Sequence, residues 1–323
     1  MGASEKNTPR NPAANEIRWP FPKQYMLTLE WLSALWEEHL GAAQTSPECF
    51  TVGEPSLALG GAPRIMGVVN LSPQSWYRES VCLSPQAAIQ RGKVLAAQGA
   101  HLIDIGGEST LEYADRASDT EQIKSIVPIV MAFTADGLNV SVETYSAKVA
   151  HAALKAGATV INMTGTEDDE TIYALAAEHD AAVIISYLQG KNARAVGDLE
   201  FAGDPFDDLR VYFEKHIQAA SNQSLQKLIL DPGMGFYYQN LQDGALRVRY
   251  QMETLLQTFR LGALGFPVCH ALPHAFEFFR EEVQTAEPFF AVLAALGKTN
   301  LFRTHEVSRV KAVLDTLACF DLK

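Results

Sequence analysis

Leu228-Ile229-Leu230-Asp231-Pro232-Gly233-Met234-Gly235-Phe236 is the stretch on which the reading of the chain turns. Three consecutive aliphatic residues describe a strand buried on both faces, and the carboxylate of Asp231 stands where that strand stops. Gly233 and Gly235 permit a sharp turn and a close approach of backbone to ligand, while Phe236 offers a ring face to something flat. By itself the stretch reads equally as an aspartate capping a turn with ordinary loop glycines.

Outward from this strand the same unit recurs. Apolar strands at 65–70, 101–107, 139–144, 159–164, 182–188, 227–231, 266–272 and 301–305 are followed by amphipathic helices at 85–98, 120–135, 147–156, 169–179, 205–221, 244–261, 275–283 with 288–295, and 308–320. Eight near-continuous aliphatic strands, each followed by a helix, predict a closed parallel (β/α)8 TIM barrel in the α/β class over residues 63–323. A doubly wound open sheet is the alternative, but no GxGxxG turn follows the first strand. Before the barrel, residues 1–15 read as a polar tail. Residues 16–62 form an extension: a helix at 28–40 with Leu29, Leu32, Leu35, Trp36 and Leu40 on one face, then a hairpin at 50–62 around Glu54-Pro55, a plug for the bottom of the barrel.

With 323 residues and a net charge of −12, the chain has room for one large core and lacks the electrostatic footprint of a nucleic-acid-binding surface. Any anionic ligand must therefore meet a local basic cluster. No apolar run is long enough to span a bilayer, and the four cysteines show no CxxC spacing, so the expectation is a reduced, cytoplasmic protein with no membrane partner.

In a barrel of this kind the C-terminal strand ends form the active face. Here they carry Asn70, Asp104 with Glu108-Ser109-Thr110, Glu143, Asn162, Tyr187 with Gln189, Asp231, His270 near His274, and Arg303 with His305. Each residue alone reads as a cap or loop hydrogen bond; a polar group at every one of eight strand ends does not. Glu143, Asn162 and Asp231 would surround a flat heterocycle bearing N–H donors, with Phe236 on its face, and Arg303 beside His305 would hold phosphate oxygens.

The fragments Ile65-Met66-Gly67-Val68-Val69-Asn70-Leu71-Ser72-Pro73, Ile103-Asp104-Ile105-Gly106-Gly107-Glu108-Ser109-Thr110, the 230–236 turn and Arg303-Thr304-His305-Glu306-Val307 resemble dihydropteroate synthase, of the pterin-binding TIM-barrel superfamily. The resemblance implies a pterin substrate held by Glu143, Asn162, Asp231 and Phe236, with Thr110 and Gln189 at the substrate site. It also implies a diphosphate with Mg²⁺ near Asn70, Arg303 and His305. The pterin methylene would lose diphosphate and be captured by an amine, p-aminobenzoate in that family, at a site built by two mobile loops after strands one and two. Homodimerisation is implied too.

The chain departs from the family pattern at several points. Gln74-Ser75-Trp76 replaces a loop aspartate motif, Leu111-Glu112 stands where the family has an Arg-Pro, Glu143 replaces an aspartate, and Leu272-Pro273-His274 replaces Ser-Arg-Lys. The lysine after the strand-six turn is also absent, with Tyr238 near its place. His274, with Arg303 and His305, is then the candidate catalytic group. Ordinary p-aminobenzoate turnover is expected to be feeble. A non-catalytic pterin-binding paralogue and a methyltetrahydrofolate:corrinoid methyltransferase are the alternatives.

Overall fold

The computed structural model describes residues 27–321 apart from 75–76, 78–79, 110–113 and 237. Thr110, Trp76 and Leu111 therefore lie outside the described residues, as does the 1–15 segment. A two-stranded hairpin, β1 (Phe50–Val52) and β2 (Leu57–Leu59), precedes eight parallel strands: β3 (Arg64–Asn70), β4 (Leu102–Gly106), β5 (Val140–Thr144), β6 (Val160–Met163), β7 (Ala182–Ser186), β8 (Leu228–Asp231), β9 (Cys269–Ala271) and β10 (Leu301–Thr304). Their order is β8-β7-β6-β5-β4-β3-β10-β9. The ring closes between the two ends of that order through a parallel bridge, Leu230 to Val268, with Leu230 N–H donating to Pro267 O at 2.9 Å. This is the TIM barrel that the alternation of strands and helices predicts.

Side-chain alternation along the strands divides the core into two layers. Outward-facing Ile65, Ile103, Val142, Ile161, Val183, Leu230 and Phe302 pack under the helices. Inward-facing Met66, Leu102, Val160, Ile184, Ile229 and Leu301 fill the barrel, together with Val52, Leu57 and Leu59 of the hairpin, which thus closes its N-terminal end. Towards the C-terminal end of six of the strands the same inward face turns polar, with Asp104, Glu143, Asn162, Ser186, Asp231 and Arg303, and β3 follows at Asn70. The barrel is therefore dry at the bottom and carries charge at the top.

Parity also corrects one expectation. Cys269 is packed inside the barrel, so His270, its neighbour, faces outward; it is fully buried, and its Nε2 meets the Thr258 hydroxyl at 2.7 Å. His270 belongs to the sheet–helix layer, not to the active face.

Three local boundaries differ from the sequence reading. The seventh barrel strand is confined to Cys269–Ala271, and the helix expected at 275–283 is a single turn, Phe276–Phe279, followed by 3-10 turns at Arg280–Thr285. Ala275 and Arg280 flank that turn with φ of 46° and 47°, a left-handed backbone that an α-helix cannot propagate through. The helix starting at Gly244 stops at Leu256, where the Thr258 hydroxyl takes the Leu255 carbonyl and competes with helical bonding. At the N-terminus the helix Leu29–Glu38 is capped by Thr28, but its buried face is rotated: Leu35 is buried and Trp31 and Leu32 pack on the core, while Leu29 is 81% exposed and Trp36 42%.

Candidate active site

The inward polar layer converges on one guanidinium. Arg303 Nε donates to Asp104 Oδ2 at 2.8 Å, and its Nη2 donates to Glu143 Oε2 at 2.5 Å. Asp104 is fully buried and receives two more bonds, from Ser141 Oγ at 2.6 Å and from Asn162 Nδ2 at 3.1 Å. With its amide N–H thus engaged, Asn162 presents its carbonyl oxygen as an acceptor to the pocket it lines. Asp231, across the barrel, accepts from Gly233 N–H at 2.8 Å. Gly233 has a φ of 76°, and a Cβ there would lie 2.0 Å from Tyr187 O, so only glycine allows the turn that brings Phe236 to the pocket wall.

Three carboxylates share this one cation, and burial decides the outcome. Burial pushes the Glu143 carboxyl up to about 7 against the pull of Arg303, with Asp104 adding to the rise. It pushes Asp231 up to about 6 despite the Gly233 hydrogen bond and Arg303. Arg303 is driven above its ordinary value by Glu143 and Asp104, which outweigh its own burial. The floor of the pocket is thus rich in acceptors and sits near its protonation point at neutral pH, a surface suited to a neutral planar ligand with several N–H donors.

The opposite wall holds the histidines. Glu287, fully buried in the first turn of the helix Ala286–Leu296, places Oε1 2.9 Å from His305 Nδ1 and 3.0 Å from His274 Nε2. Burial alone would raise this carboxyl, but the two imidazoles more than reverse that and hold it well below the usual carboxylate range. Burial lowers His305, against the pull of Glu287. Tyr77 stacks on both rings, at 5.0 Å from His274 and 4.4 Å from His305, and its hydroxyl donates to Glu306 at 2.5 Å.

The structure therefore brings Glu143, Asn162, Asp231, Phe236, Arg303, His274, His305 and Asn70 to one pocket. Gln189 is directed elsewhere: its amide bonds to the Tyr187 hydroxyl at 2.6 Å and to Glu200 N–H at 2.8 Å. Arg303 lines the pocket while its Nε and Nη2 are held by Asp104 and Glu143. Two groups were not assigned from sequence. Asp104 was visible at a strand end, but its function as the hub of Arg303, Ser141 and Asn162 is a product of strand register. Glu287 carries no motif, since an acid in a first helical turn reads as a dipole complement.

The loops above the barrel are cross-linked. Arg194, buried in the loop after β7, donates to Ser109 O at 2.8 Å and to Ala114 O, on either side of residues 110–113. Gln74 accepts from Asp115 N–H at 2.6 Å, tying the loop after β3 to the loop after β4.

The barrel with this acceptor-lined, aromatic-flanked cleft matches the pattern of the pterin binding enzyme family over residues 66–269. The dihydropteroate synthase of Synechocystis sp. is 31% identical over 69% of this chain and 75% of its own length. That of Bacillus subtilis is 33% identical over 61% of this chain and 66% of its own. The solved dihydropteroate synthase of Xanthomonas albilineans with 4-aminobenzoic acid superposes with a TM-score of 0.71 at 27% identity, covering 86% of this chain and all of that one (100%). The chain belongs to the dihydropteroate synthase family.

Proposed function

We propose that the chain binds a dihydropterin through Asp231, Glu143 and Asn162 with Phe236 on the ring face, and transfers the pterin methylene from diphosphate to an amine. The observation that carries this reading is the convergence of three acceptor side chains from β5, β6 and β8 beside one guanidinium, all within the pocket that Phe236 lines. In the reaction the methylene C–O bond breaks, the electron pair leaves with diphosphate, and the amine nitrogen forms the new C–N bond and gives up a proton. Asp231 and Glu143 hold the ring N–H groups; His305 and His274 stand at the pocket wall where the leaving group's charge develops.

A magnesium ion is part of this reading by family, and Asn70 is the residue that fits it. Its Nδ2 is fixed on Ser80 Oγ at 2.6 Å, and its Oδ1 lies 3.2 Å from where a Gly106 Cβ would stand, on the pocket side. One protein oxygen suits an ion that keeps most of its water and takes its other ligands from phosphate. When bound, it would neutralise charge on the departing diphosphate.

A second reading, a pterin-binding paralogue without turnover, is favoured by His274. At the position of the family lysine there is an imidazole lying against Glu287, not a free amine. One experiment separates the two: purified protein with dihydropterin methyl diphosphate and a panel of amines, followed by diphosphate release. Release dependent on an amine supports the transferase; pterin binding by calorimetry without release supports the paralogue, and neither binding nor release overturns both.

A further inference from the structure

Glu287 has a geometry that pterin binding does not require. Its Oε2 is anchored by the Thr304 hydroxyl, by His305 N–H at 2.9 Å and by Glu306 N–H at 3.2 Å. Its Oε1 has an imidazole nitrogen on either side, His305 Nδ1 at 2.9 Å and His274 Nε2 at 3.0 Å. The His274 nitrogen is buried and, for all its proximity, is not aligned to hydrogen-bond Oε1; it has no hydrogen-bond partner among the described residues. The ligand atoms of the three side chains all lie within 4.8 Å of one another.

We propose that His274, Glu287 and His305 form a site for a divalent cation of the zinc class, with its remaining coordination position open to the pocket. Two imidazoles and one carboxylate are a donor set of catalytic zinc, which keeps its fourth position for water or substrate. Zinc–nitrogen and zinc–oxygen distances of about 2.0–2.1 Å place neighbouring tetrahedral ligands roughly 3.3 Å apart. The observed 2.9 and 3.0 Å need a few tenths of an ångström of expansion, and the two imidazole nitrogens, which lie within 4.8 Å of each other, draw together around the ion. In such a site each lone pair aims at the ion and not at its neighbour, which accounts for a His274 nitrogen that sits beside a carboxylate oxygen without bonding to it. Magnesium and calcium, which favour all-oxygen shells, are disfavoured by the two imidazoles.

The surroundings fix the donors as a metal site requires. Oε2 is held by three donors, which leaves Oε1 in place, and Tyr77, tethered to Glu306, stacks on both imidazoles. His274 and His305 line the pocket and Glu287 does not, so the open position faces the cleft that Arg303 also lines. Two neutral imidazoles and one carboxylate carry a charge of −1; a divalent ion makes the site +1 at a wall where Leu272-Pro273-His274 provides no lysine. That consequence for the leaving group rests on the proposed transferase reading; the site itself does not.

The test uses the tag-free full chain after chelator treatment, titrated with zinc sulfate by calorimetry and with cobalt(II) by visible absorption. One equivalent of zinc per chain and an intense four-coordinate cobalt spectrum are expected. Both should be lost or weakened at least about 10-fold in Glu287→Gln and in His274→Ala. His274→Ala leaves the Glu287–His305 pair intact and guards against a variant that fails to fold. Pterin affinity measured without metal in the same variants is read separately, so failure of the metal site is distinguishable from failure of the pterin pocket. Absence of stoichiometric zinc uptake, or uptake unchanged in both variants, would overturn the proposal and leave Glu287 hydrogen-bonded to His305 with no ion between the three side chains.

Discussion

Arg303 of β10 reaches across the mouth of the barrel to Glu143 of β5, two strands beyond its own neighbour β3, and closes on it at 2.5 Å. The same guanidinium holds Asp104 of β4. It therefore ties three strands together on the inside, and removing it would strand two buried carboxylates. Arg303→Met is expected to lower stability by about 3–5 kcal/mol, the cost of breaking a buried ion pair from one side. Adding Glu143→Gln should recover part of the loss. Urea denaturation midpoints check both, and an Arg303→Met protein as stable as wild type would show that the carboxylates are not ionised there.

Asp231→Asn replaces an acceptor by a group that presents N–H to the ring, leaving buried donors opposed. Pterin affinity should fall by about 1–3 kcal/mol in calorimetry. Unchanged affinity would remove Asp231 from the pocket's recognition set.

Glu143 gives a pH signature. Its folded-state carboxyl is raised from 4.5 to about 7, so its contribution to stability is complete below its unfolded value and is lost as pH rises through about 7. Glu287 has the opposite sign: its depressed carboxyl contributes above its unfolded value and loses that contribution only at more acidic pH. Between pH 5 and 8 the Glu143→Gln protein should thus gain stability relative to wild type, because the glutamine does not ionise. The difference between the two thermal midpoints, followed across that range, is the measurement; a flat difference would contradict the shift.

With p-aminobenzoate as acceptor, turnover should be slow. Loss of one preorganised group that stabilises developing charge typically costs about 10²–10³ in rate, and losses of groups acting together do not multiply. His274→Lys combined with Leu111→Arg and Gln74→Asp is expected to raise synthase activity in a diphosphate-release assay. A wild-type rate equal to that of an ordinary synthase would refute this.

A homodimer is expected in solution. Phe278 and Phe289 are exposed by 58% and 43% in a groove that Trp31 and Met252 also line, an apolar patch of the kind that a second copy covers. Light scattering should give twice the 35.4 kDa chain mass; a monomer at micromolar concentration is the contrary result.

The barrel and most of its pocket were legible in one dimension because both obey short periods. Aliphatic runs bounded by polar residues gave the eight strands, and the residue at each strand's end gave Asn70, Glu143, Asn162, Asp231 and Arg303, which period-two alternation then turns inward together. Position near a strand end alone misplaced His270, because the register of β9 turns Cys269 inward and its neighbour outward, and a shift of one residue exchanges core and site.

What the sequence determined, then, is the architecture and the chemical character of the upper rim, since these follow from local pattern. Only the tertiary structure decided who pairs with whom. No sequence pattern names the carboxylates beside Arg303; the stagger of β10 against β3, β4 and β5 sets it against Asp104 and Glu143. Glu287 and His274 are far apart on the loop and helix that follow β9, and no periodicity links them to His305. They meet because the helix Ala286–Leu296 packs its first turn beneath the end of β10, where burial forces a carboxylate to find every donor within reach.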